Sequence, residues 1–233
     1  MTKRRFKKII CSALAMVMIT GLSMTAFADS STTMTFDEAK EYLRTYNVTQ
    51  TNSMGKEYTT QYIFKSEQDL NEAAEYIVDN GLDAFNAAIT EAITDTVSKE
   101  PQTTSSIART TKPSTAYASV SGNGSHSVST KAYGLASFDT LGTVEYSVEL
   151  GYKVTVKNGK ISNISSISFD IPYISAAGSW GKTSFQSYRK DSNCGVTANY
   201  VITKTVEIAV GRFSVEIKSE TDNEVFALIT NLK

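Results

Sequence analysis

Apolar and polar residues alternate without a break from residue 144 to residue 156. Every even position there is apolar, beginning with Val144, whereas the odd positions carry Glu, Ser, Gly, Lys and Thr. A period of two residues is typical of a β-strand with one buried and one solvated face. The pattern therefore predicts a long strand, and it is the strongest structural signal in the chain.

A tight turn follows this strand at Asn158-Gly159. Both residues tolerate the positive φ that a type I′ hairpin requires, so the returning strand is expected to pair antiparallel with the first. Without interruption of the register, Val156 lies opposite Ile161 and Val148 lies opposite Phe169. The sequence thus predicts that Val148 and Phe169 touch in the core.

A second hairpin is predicted around Gly211-Arg212, because alternating apolar residues lead into this pair and out of it. Glycine at the first loop position suits a type II′ turn, with Val210 opposite Phe213 and Val206 opposite Ile217. Further alternating segments bring the expectation to about seven or eight strands after residue 117. The fold class is therefore predicted as mainly β, with a C-terminal antiparallel β-sandwich or partly closed barrel.

The region before these strands, residues 29–98, shows a helical period instead. Thr35-Phe36-Asp37-Glu38 has the form of a capping box, and apolar residues three and four apart predict three helices with one strand between the first two. Asn80-Gly81 is expected to end the second helix. Residues 29–100 carry 14 acidic and 5 basic residues, so this small helical region is acidic.

Residues 99–116 are rich in Ser and Thr and include Pro101 and Pro113, which indicates a linker. The predicted organisation is a signal peptide at 1–28, the acidic helical region at 29–98, the linker at 99–116 and an antiparallel β domain at 117–233. The β domain is expected to fold, and to carry the function in its loops, without the helical region.

The N-terminus has the form of a secretory signal. Five basic residues precede an apolar run from residue 9 to 24, which ends at Ala26-Phe27-Ala28. The run is shorter than the ~20 residues of a spanning helix, so cleavage after Ala28 is expected rather than retention. The product is expected to be secreted, extracellular or loosely associated with the cell surface. A cysteine-poor exported chain with a lysine-rich signal is similar in style to exported proteins of Gram-positive bacteria.

The net charge of the chain after signal removal limits the classes of partner that are expected. Removal of the five basic residues of the signal leaves 18 basic against 24 acidic residues, a net charge of −6. Nucleic-acid binding is therefore not expected. Partners are expected to be an unknown surface glycan or protein, with no membrane span after signal removal.

Three carboxylates are expected together on the solvated side of the first hairpin. In the predicted register Asp170 faces Ser147, and Glu145 and Glu149 are its diagonal neighbours. Their oxygens could hold Ca²⁺, or serve as the acid and nucleophile of a glycosidase. The sequence favours the alternative, a solvated polar face.

Trp180, the single tryptophan, is flanked by glycines and is expected in a loop. An indole there could stack on a sugar ring or anchor a protein partner, with Tyr188 and Arg189 as companions. The alternative is that the ring folds back and caps the core.

The sequence contains few features of an enzyme active site. Cys194 is the single cysteine after signal removal and is expected to be a buried, inert thiol, while His126 lies in a Gly/Ser segment. No G-x-S-x-G elbow and no Gly-rich phosphate loop is present, so neither a catalytic residue nor a cofactor is predicted. The leading hypothesis is a secreted non-catalytic binding protein. The alternatives are a secreted effector, toxin or bacteriocin-like precursor with an N-terminal pro-region, and a secreted carboxylate-based hydrolase.

The exported protein is expected to begin at Asp29, because Ala26-Phe27-Ala28 is a small-x-small cleavage site after an apolar run. Intact-mass spectrometry of the secreted product tests this directly. A product that retains Met1 or the apolar run would contradict it.

Overall fold

The computed structural model describes residues 34–99, 115–175 and 177–233, without the side chains of Thr140 and Lys182. The predicted signal peptide and most of the predicted linker lie outside these residues, so cleavage after Ala28 and processing of the linker stay predictions. The chain is mainly β, and its two sheets form a sandwich-like arrangement that is not closed into a barrel. The predicted sandwich is confirmed, and the barrel alternative is not.

The N-terminal helices form where their caps predict them. The capping box is present, because the Glu38 N–H donates to Thr35 Oγ at 3.4 Å and the Thr35 N–H donates to the Glu38 carboxylate at 2.8 Å. Gly81 ends the second helix with φ of 87°, which glycine adopts without strain. None of the described helices is both long and apolar enough to cross a membrane. The three helices are α1 (Phe36–Thr45), α2 (Glu67–Asn80) and α3 (Leu82–Lys99).

Ten strands lie within the described residues, and a single 3₁₀ turn, Asp139–Leu141, precedes the fifth. They divide into a sheet of seven strands and a sheet of three. Their bounds are β1 (Asn47–Thr51), β2 (Glu57–Ile63), β3 (Thr115–Val120), β4 (Gly124–Ser137), β5 (Thr143–Lys157), β6 (Lys160–Ile174), β7 (Gly178–Arg189), β8 (Asn193–Val210), β9 (Phe213–Thr221) and β10 (Glu224–Leu232).

The larger sheet is organised around β8. β7 pairs along one edge of β8, while β9 and β10 lie end to end along the other edge. β2 extends the sheet beyond β9 and β1 lies beyond β2, all antiparallel, whereas β3 joins β10 in parallel. The predicted β8–β9 register is confirmed, with Val210 opposite Phe213 and Val206 opposite Ile217.

The smaller sheet has the order β4-β5-β6 and contains the first predicted hairpin. At its turn, Asn158 and Gly159 have φ of 52° and 69°, as a type I′ turn requires. Val156 lies opposite Ile161, so the register is confirmed next to the turn.

The predicted pairing of Val148 with Phe169 is wrong, because register shifts interrupt the β5–β6 pairing at three places. The contact between the two side chains stays a prediction. Each shift adds one residue on β6, and the two shifts between the turn and Phe169 move this residue opposite Leu150. Ser166, within the second shift, has φ of 50°, and Pro172, within the third, has no N–H to donate to a ladder. These bulges explain why the apolar residues of β6 are unevenly spaced.

The inner face of the larger sheet is covered by two different layers. The smaller sheet covers the end that carries β10, where Tyr152 Oη donates to the Leu228 carbonyl at 3.0 Å. The helices cover the end that carries β9, where the rings of Phe85 and Phe213 stack at 5.9 Å. Both layers share one buried core.

The helical region packs into the β structure rather than lying beside it. β2 pairs directly with β9, and residues 34–233 belong to one compact unit. Side chains reinforce the junction, since Asn52 Nδ2 donates to the Ser137 carbonyl at 2.8 Å and the Ser214 N–H donates to Asp69 Oδ1 at 2.8 Å. The sequence suggested a clean separation because the Ser/Thr/Pro segment divides the chain, but that segment does not divide the sheet.

A fragment from Ser114 to Lys233 is therefore expected not to fold cooperatively. Without α2, α3 and β2 it would expose Phe213 and the neighbouring apolar residues of β9 and lose one neighbour of that strand. Circular dichroism during heating, with the Asp29–Lys233 chain as control, measures this. A sharp transition of the fragment near that of the longer chain would contradict it.

Candidate functional site

Trp180 lies within β7 and not in a loop. It is opposite Ile202 of β8, and its ring meets the Phe169 ring edge-on with centroids 5.6 Å apart. Phe169 also contacts Phe185 and Tyr200 at 6.1 and 5.2 Å. Trp180 is 38% exposed. Its ring therefore lies at the edge of the core, between β6 and β7.

The predicted companions of Trp180 are not brought together with it. Arg189 is opposite Cys194, on the inner side of the larger sheet, and its guanidinium donates to the Ile161 carbonyl at 3.1 Å. Tyr188 is opposite Gly195 and projects from the other side of the sheet. The three residues therefore do not form one site in this structure.

The three acids also fail to assemble as predicted. The bulge places Glu149 directly opposite Asp170, and Lys131 Nζ lies 3.4 Å from the Glu149 carboxylate. Glu145 is half-buried, and its backbone N–H donates to Ser175 Oγ at 3.0 Å. Among the described residues no three His, Cys, Asp or Glu side chains are grouped so that they could hold a metal ion. The calcium alternative, which the sequence did not favour, gains no support from this arrangement.

Cys194 and His126 have separate surroundings. Cys194 is fully buried, and burial raises the pKa of its thiol, which disfavours the reactive thiolate. His126 Nε2 lies 3.1 Å from the Gly122 carbonyl oxygen. The burial of Cys194 expected from the sequence is confirmed.

Among the described side chains, the outward positions of residues 184–188 of β7, of β3, of β10 and of the first half of β8 carry no charge. These positions form a continuous surface, which we call the uncharged face, because the four strands are neighbours in the sheet. Its members are Thr, Ser, Asn, Gln, Val, Ala, Ile, Gly and Tyr residues at alternate positions of 184–188, 193–201, 225–231 and 115–119. Lys190 and Lys233 follow the strand ends at its border.

Three exposed large apolar side chains, two of them tyrosines, lie on this face. Tyr117 is 71% exposed, Tyr188 42% and Val225 40%. Tyr188 leans over Gly195, where an added Cβ would lie 2.6 Å from Cε1 of the ring. Glycine at this position therefore permits the observed placement of the tyrosine.

The outward side of β9 and of the second half of β8 carries charged residues, so the uncharged face ends where this charged half begins. Glu207 and Glu216 face each other across β8 and β9, and Lys65 pairs with Glu207 at 2.6 Å. On β9, Lys218 pairs with Glu220 at 2.8 Å. Both halves are solvated, so exposure alone does not account for the missing charge of the first half.

One open cleft of about 550 Å³ lies where the β3–β4, β5–β6 and β7–β8 turns meet the C-terminus. Lys160 and Asp191 face it and pair at 2.7 Å, and Gly159 donates its N–H to Asn123 Oδ1 at 3.0 Å. These bonds tie the turns to one another.

Sequence reasoning did not identify the uncharged face. Alternating residues of 193–201 and 225–231 contain the signal, since their outward positions lack charge. The parallel addition of β3, which brings Tyr117 to this face, cannot be read from a local pattern.

Replacing Trp180 with Ala is expected to lower the free energy of unfolding by about 1–3 kcal/mol, because the ring fills the margin of the core against Phe169. Tyr117→Ala is the matched control, since that exposed ring buries little surface and its loss should have a small effect. Thermal or urea unfolding measures both changes. An unchanged transition for Trp180→Ala would place its ring outside the packed structure.

Comparison of the chain with protein-family models, with curated proteins and with solved structures gave no match.

Proposed function

We propose that this is an exported, non-catalytic binding protein that holds a surface glycan or protein on the uncharged face. The observation that carries the proposal is the grouping of exposed tyrosines on a face without charge. Burying a charged group without a partner costs hydration free energy. Removing water from an uncharged face therefore costs less free energy when a ligand binds. Tyrosine adds a rigid ring with a polar end at low entropic cost.

The electrostatics of the chain support an uncharged partner. The part after the predicted signal has a net charge of −6, yet the outward positions of residues 184–188, 193–201, 225–231 and 115–119 carry none of it. An anionic polymer would be repelled by the net charge, and a cationic partner would find no carboxylate on this face.

The proposal moves the binding site from the loops, where sequence reasoning expected it, to the strands. A site on paired strands has a more fixed geometry than a site on loops. It also replaces Trp180 with Tyr188 and Tyr117 as the aromatic residues that bind.

Gly195→Ala is expected to weaken binding at least tenfold, because the added methyl group displaces the Tyr188 ring that lies above it. Gly181→Ala is the matched control, since no described atom beyond the two adjacent residues lies within 4 Å of its added Cβ. Cosedimentation of the purified secreted protein with envelopes of the producing cells measures the retained fraction at each protein concentration.

Equal retention of both glycine variants and the wild type would contradict the proposal, provided that Tyr188→Ala is retained equally as well. Unfolding curves of all variants establish that reduced retention does not come from loss of the fold.

A further inference from the structure

We infer that the uncharged face binds a neutral polysaccharide, which lies across the strands from Tyr188 to Tyr117. The inference rests on the proposed function and names the chemical class of the ligand. It follows from the order of side chains along the face, from the balance of donors and acceptors, and from the size of the face.

The two tyrosines lie at opposite ends of one row. Tyr188 is opposite Gly195, Gly195 is opposite Ile229, and Ile229 is opposite Tyr117. Neighbouring strands are about 4.8 Å apart, so the two backbones are separated by about 14 Å. A chain of linked sugar rings can span this distance and meet a tyrosine at each end, with the half-buried Ile229 between them.

The next row supplies polar groups that suit sugar hydroxyls. Gln186 is opposite Thr197, and Thr115 takes the corresponding place on β3, opposite Ala227. Amide and hydroxyl side chains both donate and accept hydrogen bonds, as sugar hydroxyls do. A neutral sugar has an apolar C–H face and polar hydroxyl groups. The tyrosine rings suit the first, and the neighbouring amide and hydroxyl side chains suit the second.

A second copy of the chain fits this face less well. Four strands about 4.8 Å apart and a run of about seven residues give a footprint of about 400 Å². A stable protein interface buries about 800 Å² on each partner. Of the three residue types that dominate the energetics of protein interfaces, the face carries Tyr but lacks Arg and Trp.

Affinity gel electrophoresis of the secreted protein tests the inference. The gels contain a neutral β-glucan, α-glucan or mannan, or the anionic polygalacturonate as a charge control. We expect retardation by at least one neutral polymer and none by polygalacturonate. Tyr188→Ala and Tyr117→Ala should each weaken the neutral interaction at least tenfold, whereas Glu216→Gln, on the charged half of the same sheet, should leave it unchanged.

Three results would overturn the inference. Retardation by polygalacturonate that is lost in Lys190→Ala would assign the face an anionic ligand. Self-association in sedimentation that is lost in Tyr188→Ala would assign it a second copy. Retention on envelopes that depends on Tyr188, without retardation by any of the three neutral polymers, would overturn the polysaccharide assignment while leaving the proposed function intact.

Discussion

The alternation of side chains along β8 is the constraint on which the rest of the structure depends. This strand has 18 residues, and its even positions from Cys194 to Ile208 are buried without exception. Because one strand presents such a long buried stripe, no single layer covers it: the smaller sheet packs on one end and the helices on the other. Both of its edges are also occupied, by β7 on one side and by β9 and β10 on the other.

The same alternation fixes what the opposite side can do. Every residue that β8 buries has a neighbour that points outward, and these outward residues change character along the strand. They are uncharged in the half that pairs with β7 and β10, and include Glu207 in the half that pairs with β9. The uncharged face, which we propose as the binding surface, and a charged surface thus lie on one continuous sheet, and the tyrosines of the uncharged face lie on paired strands of that sheet.

Local rules predicted the local features of this fold. The turns at Asn158-Gly159 and Gly211-Arg212 fixed the pairing beside them, because positive φ restricts the residues that such turns accept. Beyond the first turn the prediction failed at Phe169, since bulges depend on how a whole strand must bend against its neighbours. The separation of the helical region failed for a similar reason: the pairing of β2 with β9 joins residues more than 140 positions apart, and no local pattern encodes it.

The candidate site shows the same division. Burial of Cys194 followed from its parity with Val196, a property of one strand. Trp180 and Tyr188 lie on opposite sides of the sheet because of a register shift in the β7–β8 pairing. Tyr188 and Tyr117 lie on the same side, in one row, because β7, β8, β10 and β3 are neighbours in that order. Residue types suggested that an aromatic ring binds, but only the sheet order identifies which aromatic residues share a surface.

Hydroxyl-radical footprinting of tyrosine side chains tests the central claim most directly. The purified protein is labelled alone and with the envelopes of the producing cells, and oxidation is quantified for Tyr117, Tyr188 and Tyr133. Tyr133 is the internal control, because it is 46% exposed on the smaller sheet. The account predicts that binding protects Tyr117 and Tyr188 together and leaves Tyr133 unprotected. Protection of Tyr133, with Tyr117 and Tyr188 oxidised as in the free protein, would contradict it.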